Sequence, residues 1–175
     1  MRVAPPVAYG ASGEHQGFAG TLSIGQDALE RVVVELGRSA GEDYRLVVFV
    51  NGHGGNAEPL ARARVTLEHE RRPILMWSPR LVDGDSHAGR TETSVLLAVA
   101  PDVVRLDRAE PGVTTPLPEL LDDLRAGGLA AVTPNGVLGD PTGASAEEGE
   151  QLLDGWASDL CAAIDAALTR PGALE

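Results

Sequence analysis

The chain has 175 residues, 43% of them apolar and only 3% aromatic, so it can bury a real core of Leu, Val, Ala and Ile rather than of rings. A formal charge of −12 argues against a nucleic-acid or anionic-membrane partner, since both need a cationic face. With one cysteine, no signal-peptide pattern and no apolar run near the roughly 20 residues that span a bilayer, a single cytoplasmic domain over residues 1–175 is expected.

The first regular element is expected from Asp27 to Gly37, where Ala28, Val32 and Leu36 recur at helical spacing. Leu46 to Val50 reads as a strand that runs into Asn51-Gly52-His53-Gly54-Gly55-Asn56, with a helix expected over Glu58 to Arg71. A strand that ends in a glycine-rich loop before a helix is where open α/β sheets place their chemistry. The glycines would let the backbone turn tightly and leave room beside His53 for a metal or substrate. Pro73 to Trp77 is a second strand candidate, followed by a loop from Ser78 to His87 and a helix from Thr93 to Val99 that Pro101 stops.

Residues 109–145 are rich in proline and glycine and are expected to hold little regular structure, apart from a short strand over Ala130 to Thr133. Ser145 and Glu148 have the form of a capping box. From there Leu152, Leu153, Trp156, Leu160, Ile164 and Leu168 make an apolar stripe at helical spacing. Cys161, among Leu160, Ala162, Ala163 and Ile164, is expected to be a buried structural thiol. The alternation of strand-like and helix-like segments argues for a parallel α/β sheet with flanking helices.

Three of the four histidines, His15, His53 and His87, lie in glycine-containing loops, which points to a common site; His69 sits in a charged helix surface and carries no expected role. Glu14 and His15 put a carboxylate beside an imidazole in a loop that can line a pocket. In Asp83-Gly84-Asp85-Ser86-His87-Ala88-Gly89-Arg90-Thr91-Glu92, the imidazole of His87 and the carboxylate of Glu92 lie five residues apart across a loop-to-helix turn. Such a pair can converge to bind a divalent metal or to handle protons. The plainer alternative is that Glu92 caps the helix. A phosphate-cradling loop at Gly52–Asn56 is disfavoured, because the GxGxxG spacing and the Lys or Ser/Thr of a P-loop are missing.

Taken together, these segments resemble the creatininase family of metal-dependent amidohydrolases. The matching residues are Gly13-Glu14-His15 with Gly20-Thr21-Leu22-Ser23-Ile24, Asn51 to Asn56, and His87-Ala88-Gly89 with Glu92-Thr93-Ser94. Gly136-Val137-Leu138-Gly139-Asp140-Pro141 with Ala144-Ser145 and Gly149 looks like the family's C-terminal motif. Pro5 to Gly10 and His87 to Glu92 are most similar to the mycofactocin-system branch, whose members resemble peptidases that trim a modified precursor peptide at its C-terminal end. The resemblance implies a three-layer α/β/α fold with a mostly parallel sheet, a divalent metal (Fe, Zn or Mn) and a homo-oligomer. By the same match His53 would be a metal ligand, and Glu92 would sit in the first or second metal shell. His87 would handle the proton of the tetrahedral intermediate, and Glu14, His15 and Ser86 would contact substrate.

The family pattern also begins with a strand carrying Glu-x-His and, later, an Asp, which supply most of the metal ligands; no such motif occurs in these 175 residues. Where creatininase proper has a ligand Glu, this chain has Gly55. The expected fold therefore lacks the family's first strand and helix. The expected ligand set is His53 with Glu92 or Asp85, and metal binding by this chain alone is expected to be weak. The start is expected to be internal to a longer gene, the alternative being a genuinely short, inactive relative. The leading expectation is a metal-dependent hydrolase of C–N amide bonds acting on the modified precursor peptide or a small amide substrate. A metal-poor, non-catalytic subunit or scaffold, a creatinine-type cyclic amidohydrolase and a nucleotide-binding module are the alternatives.

Overall fold

The computed structural model describes residues 1–80 and 84–169, which form two compact units. The first comprises Met1–Gly13, Gly20–Pro79 and the chain from Ala163 on; the second comprises Glu14–Ala19 and Arg80–Ala162. The expected loop from Ser78 to His87 includes residues 81–83, which lie outside the described residues.

In the first unit, α1 (Gln26–Asp43) leads to β1 (Val47–Val50), α2 (Ala57–His69) and β2 (Ile74–Trp77). The two strands pair in parallel, with Val47 opposite Ile74 and Phe49 opposite Met76, and α2 is the crossover that a parallel pair requires. Leu29, Val33, Val34, Ala63 and Leu67 form the core, onto which Phe49, Leu60, Ile74 and Met76 pack. The helix expected over Asp27 to Gly37 is present and longer, but its expected apolar stripe is the wrong one. Val32 and Leu36 are exposed, whereas Leu29, Val33 and Val34 are buried. With apolar residues at 32, 33 and 34, two adjacent stripes satisfy the helical period, and only packing against α2 selects one. Helix α2 tolerates Pro59 because a first-turn residue needs no intrahelical N–H partner. His69 ends that helix on its exposed side.

In the second unit, α3 (Arg90–Val99), α4 (Leu117–Gly127) and α5 (Leu129–Val132) precede α6 (Ala146–Thr169), whose end belongs to the first unit. Leu120, Leu129 and Leu138 form the core here, with Phe18, Val113, Leu124 and Val132 packed against them. Two expectations for residues 109–145 fail. Helix α4 occupies a stretch expected to be irregular, because Pro118 lies in its first turn, where proline starts a helix rather than breaking one. The strand expected over Ala130 to Thr133 is the single helical turn α5, closed by Thr133 N donating to Leu129 O at 2.9 Å. Gly128, at φ 69°, makes the left-handed break between the two helices.

Helix α6 carries its stripe as expected, with Leu152, Leu153, Trp156, Leu160, Ile164 and Leu168 all half-buried. Ser145 Oγ accepts the Glu148 N–H at 3.2 Å, which is one half of the expected capping box. The Glu148 carboxylate turns elsewhere, to Arg90 and Ser94. Cys161 is exposed, not buried, because it lies one residue off the stripe, on the outer face of the helix. Among the described residues, no helix is long and apolar enough to cross a membrane.

Candidate functional site

The loop after β1 is held by its own amides. The Asn51 side chain donates to His53 O at 2.9 Å and accepts the His53 N–H at 3.2 Å. Asn56 donates to Asn51 Oδ1 at 3.0 Å, and its own Oδ1 accepts the Ala11 N–H at 2.9 Å. A Cβ on Gly10 would lie 2.6 Å from Asn56 Oδ1, so the approach of the residue 10–11 backbone depends on that glycine. Gly52 and Gly54 do not have positive φ; a tight turn does not require them, but a side chain there would meet open space, as expected beside His53.

His53 Nε2 lies 3.2 Å from the Ala11 carbonyl oxygen and 3.2 Å from Ser12 Oγ. A carbonyl can only accept, so Nε2 carries the proton, and Nδ1 is the nitrogen with a lone pair in the neutral ring. Metal-binding histidines are oriented in this way, with the second N–H given to a carbonyl or carboxylate. The first unit therefore presents His53 in the tautomer that a ligand needs.

The second unit gathers four of the expected residues. Glu14 Oε1 lies 3.5 Å from His15 Nε2, and Glu92 Oε2 lies 3.5 Å from His87 Nδ1. The rings of His15 and His87 stand 4.5 Å apart between centroids, tilted by 54°. Two imidazoles and two carboxylates thus border one patch of this unit, all partly exposed. His87 is held by an isolated antiparallel bridge to Leu138, with Leu138 N donating to His87 O at 2.8 Å. Ser86 N also donates to Leu138 O, at 3.0 Å, so Ser86 takes part through its backbone. Glu92 Oε2 accepts the Ala88 N–H at 2.6 Å, next to an Ala88 backbone at φ 50°.

The first two amides of α3 go to Asp85, whose carboxylate accepts the Arg90 N–H and, at 3.1 Å, the Thr91 N–H, while Glu92 reaches back to the amide of Ala88 just before the helix. Asp85 is not among the described residues that group as candidate metal donors, and both its oxygens accept backbone amides at the start of α3. Sequence reasoning assigned no role to Leu138, Gly139, Asn51 or Asn56. Leu138 and Gly139 lie in the C-terminal motif, and the two asparagines bracket the loop histidine, so the motifs themselves were the available signal. That C-terminal motif now has a physical role, since it carries the strand-like partner of the His87 segment. Asp140, in the same motif, caps the next turn through Thr142, whose hydroxyl and N–H hold the Asp140 carboxyl below its usual range.

A family model for creatininase, creatinine amidohydrolase, matches residues 1–164. The chain belongs to the creatininase family. It is 58% identical over 152 residues to the mycofactocin precursor peptide peptidase of Mycolicibacterium smegmatis, covering 86% of this chain and 61% of that protein. It is 52% identical over 162 residues to the protein of the same name from Mycobacterium ulcerans, covering 93% and 65%. The chain therefore spans less than two thirds of the length of these curated relatives. Among solved structures, a mutant creatininase of Zn-Zn type is 26% identical with a TM-score of 0.72, covering 93% of this chain and 73% of that one. A creatininase with Mn is 25% identical with a TM-score of 0.72, covering 95% and 76%. The α/β fold of this family is thus the fold of the chain.

Imidazole and carboxylate are donors that zinc and manganese accept, and Glu14, His15 and His53 are candidates of that kind. Among the described residues, neither unit by itself brings three such donors together. His53 fits a ligand's role by its tautomer, and Glu14 and His15 by their chemistry.

Proposed function

We propose that this chain takes part in metal-dependent hydrolysis of a C–N amide bond in a modified mycofactocin precursor peptide, the substrate that its relatives' names carry. The observation that carries this reading is the His87 imidazole beside the Glu92 carboxylate, at 3.5 Å, in the family's own motif. An imidazole beside a carboxylate is a pairing that general acid–base catalysis uses to hand a proton to a leaving amine. We assign His87 to proton transfer, Glu92 to orienting it and to the metal's first or second shell, and His53 to the metal. A bound divalent metal would supply hydroxide at neutral pH and polarise the scissile carbonyl. We assign Glu14, His15 and Ser86 to contacts with the substrate, in keeping with the His15 ring 4.5 Å from that of His87. The lone cysteine and the charge of −12 support a cytoplasmic protein without nucleic-acid partners.

The test is direct. The purified protein, supplied in turn with zinc, manganese or ferrous iron, is incubated with the modified precursor peptide and the products are weighed by mass spectrometry. Cleavage that His87→Ala removes is the expected result. No cleavage with any of the three metals would sink the reading, and cleavage unchanged by His87→Ala would sink the assigned role.

A further inference from the structure

We propose that Asp85 is a positioning residue for His87, acting through the backbone of the turn that carries the ring; this rests on the reading of His87 as the proton-transfer group. The carboxylate of Asp85 accepts the first two amides of α3, from Arg90 and Thr91, and so fastens the residue two before His87 to the helix that begins three after it. The intervening turn is short and strained. Ala88 sits at φ 50°, a left-handed conformation that costs an L-residue about 1–2 kcal/mol, and its N–H is taken by Glu92. The clasp at residues 85 and 90 acts with the Glu92 contact to hold that conformation.

Two glycines make room for the clasp. A Cβ on Gly89 would overlap the Asp85 carboxylate, and one on Gly139 would overlap the Asp85 side chain. Gly139 directly follows Leu138, the bridge partner of His87. The same carboxylate is thus packed between the helix start and the strand-like segment that together aim the imidazole. The far side is secured by Arg90, whose Nε donates to both Glu148 oxygens at 3.0 and 2.7 Å. This arrangement fits a side chain that fixes geometry.

The experiment compares wild type, Asp85→Asn and Asp85→Ala in the full chain. Asparagine keeps one acceptor and turns an NH2 group toward the other amide; alanine keeps neither. The structural readout is the NMR contact between the His15 and His87 rings, expected strong in wild type, weaker in Asp85→Asn and lost in Asp85→Ala. The kinetic readout is a fall in kcat of about 10- to 100-fold for Asp85→Ala, with KM within about threefold and bound metal per chain unchanged. An unchanged ring contact and kcat in Asp85→Ala would overturn the proposal. So would a parallel loss of bound metal, which would make Asp85 a ligand. Should Asp85→Ala not fold, an unchanged ring contact and kcat in Asp85→Asn would overturn it as well. If wild type cleaves nothing, the hydrolase reading fails while the ring contact still decides the role of Asp85.

Discussion

The first unit's core contains a contact whose sign can be inverted by mutation. Leu67 is fully buried on α2, and a Cβ built on Gly37 of α1 would lie 2.6 Å from Leu67 Cδ1 and 2.9 Å from Cδ2. Leu67→Ala should cost about 2–5 kcal/mol, the usual range for a buried leucine that leaves a cavity. Gly37→Ala brings two opposing effects. Alanine in a helix interior gains about 1 kcal/mol over glycine, and overpacking costs about 1–3 kcal/mol. In wild type the clash should win or break even, so Gly37→Ala should be neutral to about 2 kcal/mol destabilising. In the Leu67→Ala background the clash is gone and the new methyl enters the cavity, so the same substitution should stabilise by about 1 kcal/mol or more. The assay is urea unfolding of the four proteins of this cycle, in chelator so that metal linkage does not enter. Equal effects of Gly37→Ala in both backgrounds would refute the packing argument, and with it the account of how α2 is set against α1. The matter bears on function because this core also takes Phe49 of β1, the strand that delivers His53 to its loop.

Further outcomes are expected at the site and on the surface. His53→Ala should weaken zinc binding, read by calorimetry, by more than the roughly 10- to 100-fold typical of losing an outer-shell partner; unchanged affinity would remove His53 from the ligand set. Ala88→Gly should leave stability within about 1 kcal/mol, because relief of the left-handed strain offsets the added freedom of the unfolded chain. Cleavage should nonetheless fall as the His87 turn loosens, and a variant with full activity would argue against the strained turn as a positioning device. Glu70 has its carboxyl held below the ordinary range by hydrogen bonds from Arg38, at 2.9 and 2.5 Å. Its folded value is depressed, so its contribution is present above the ordinary carboxylate range and lost as pH falls through the folded value. The gap in urea midpoint between wild type and Glu70→Gln should close between pH 7 and pH 3; a constant gap would mean that the pairing carries no linkage.

The local signals in the chain were sufficient for the β1–loop–α2–β2 unit. Consecutive apolar residues bounded by Gly, Asn and Pro leave few alternatives to a strand, and α6 declares itself by an unbroken 3.6-residue stripe. His15, His53 and His87 stood out because three of the four histidines fall in glycine-containing loops, and Glu92 because it lies five residues from His87 across a loop-to-helix turn. Position in three dimensions was not legible in the same way. Which of two adjacent stripes of α1 is buried depends on the face that α2 presents, and no periodicity within α1 records that. Helices α4 and α5 were hidden because Pro118 and Gly128 mark a helix start and a helix break with the same residues that mark loops. The role of Leu138 depends on a bridge to His87, some fifty residues away along the chain, whose pairing no local pattern encodes. The sequence by itself thus determined the chemical groups and the elements from α1 to α3 together with α6, since these follow from residue type and spacing, and its motifs carried the family resemblance. Only the tertiary structure decided that Asp85 caps α3 while Glu92 turns to Ala88 and His87, because that choice is set by which backbone amides the fold brings within reach of each carboxylate.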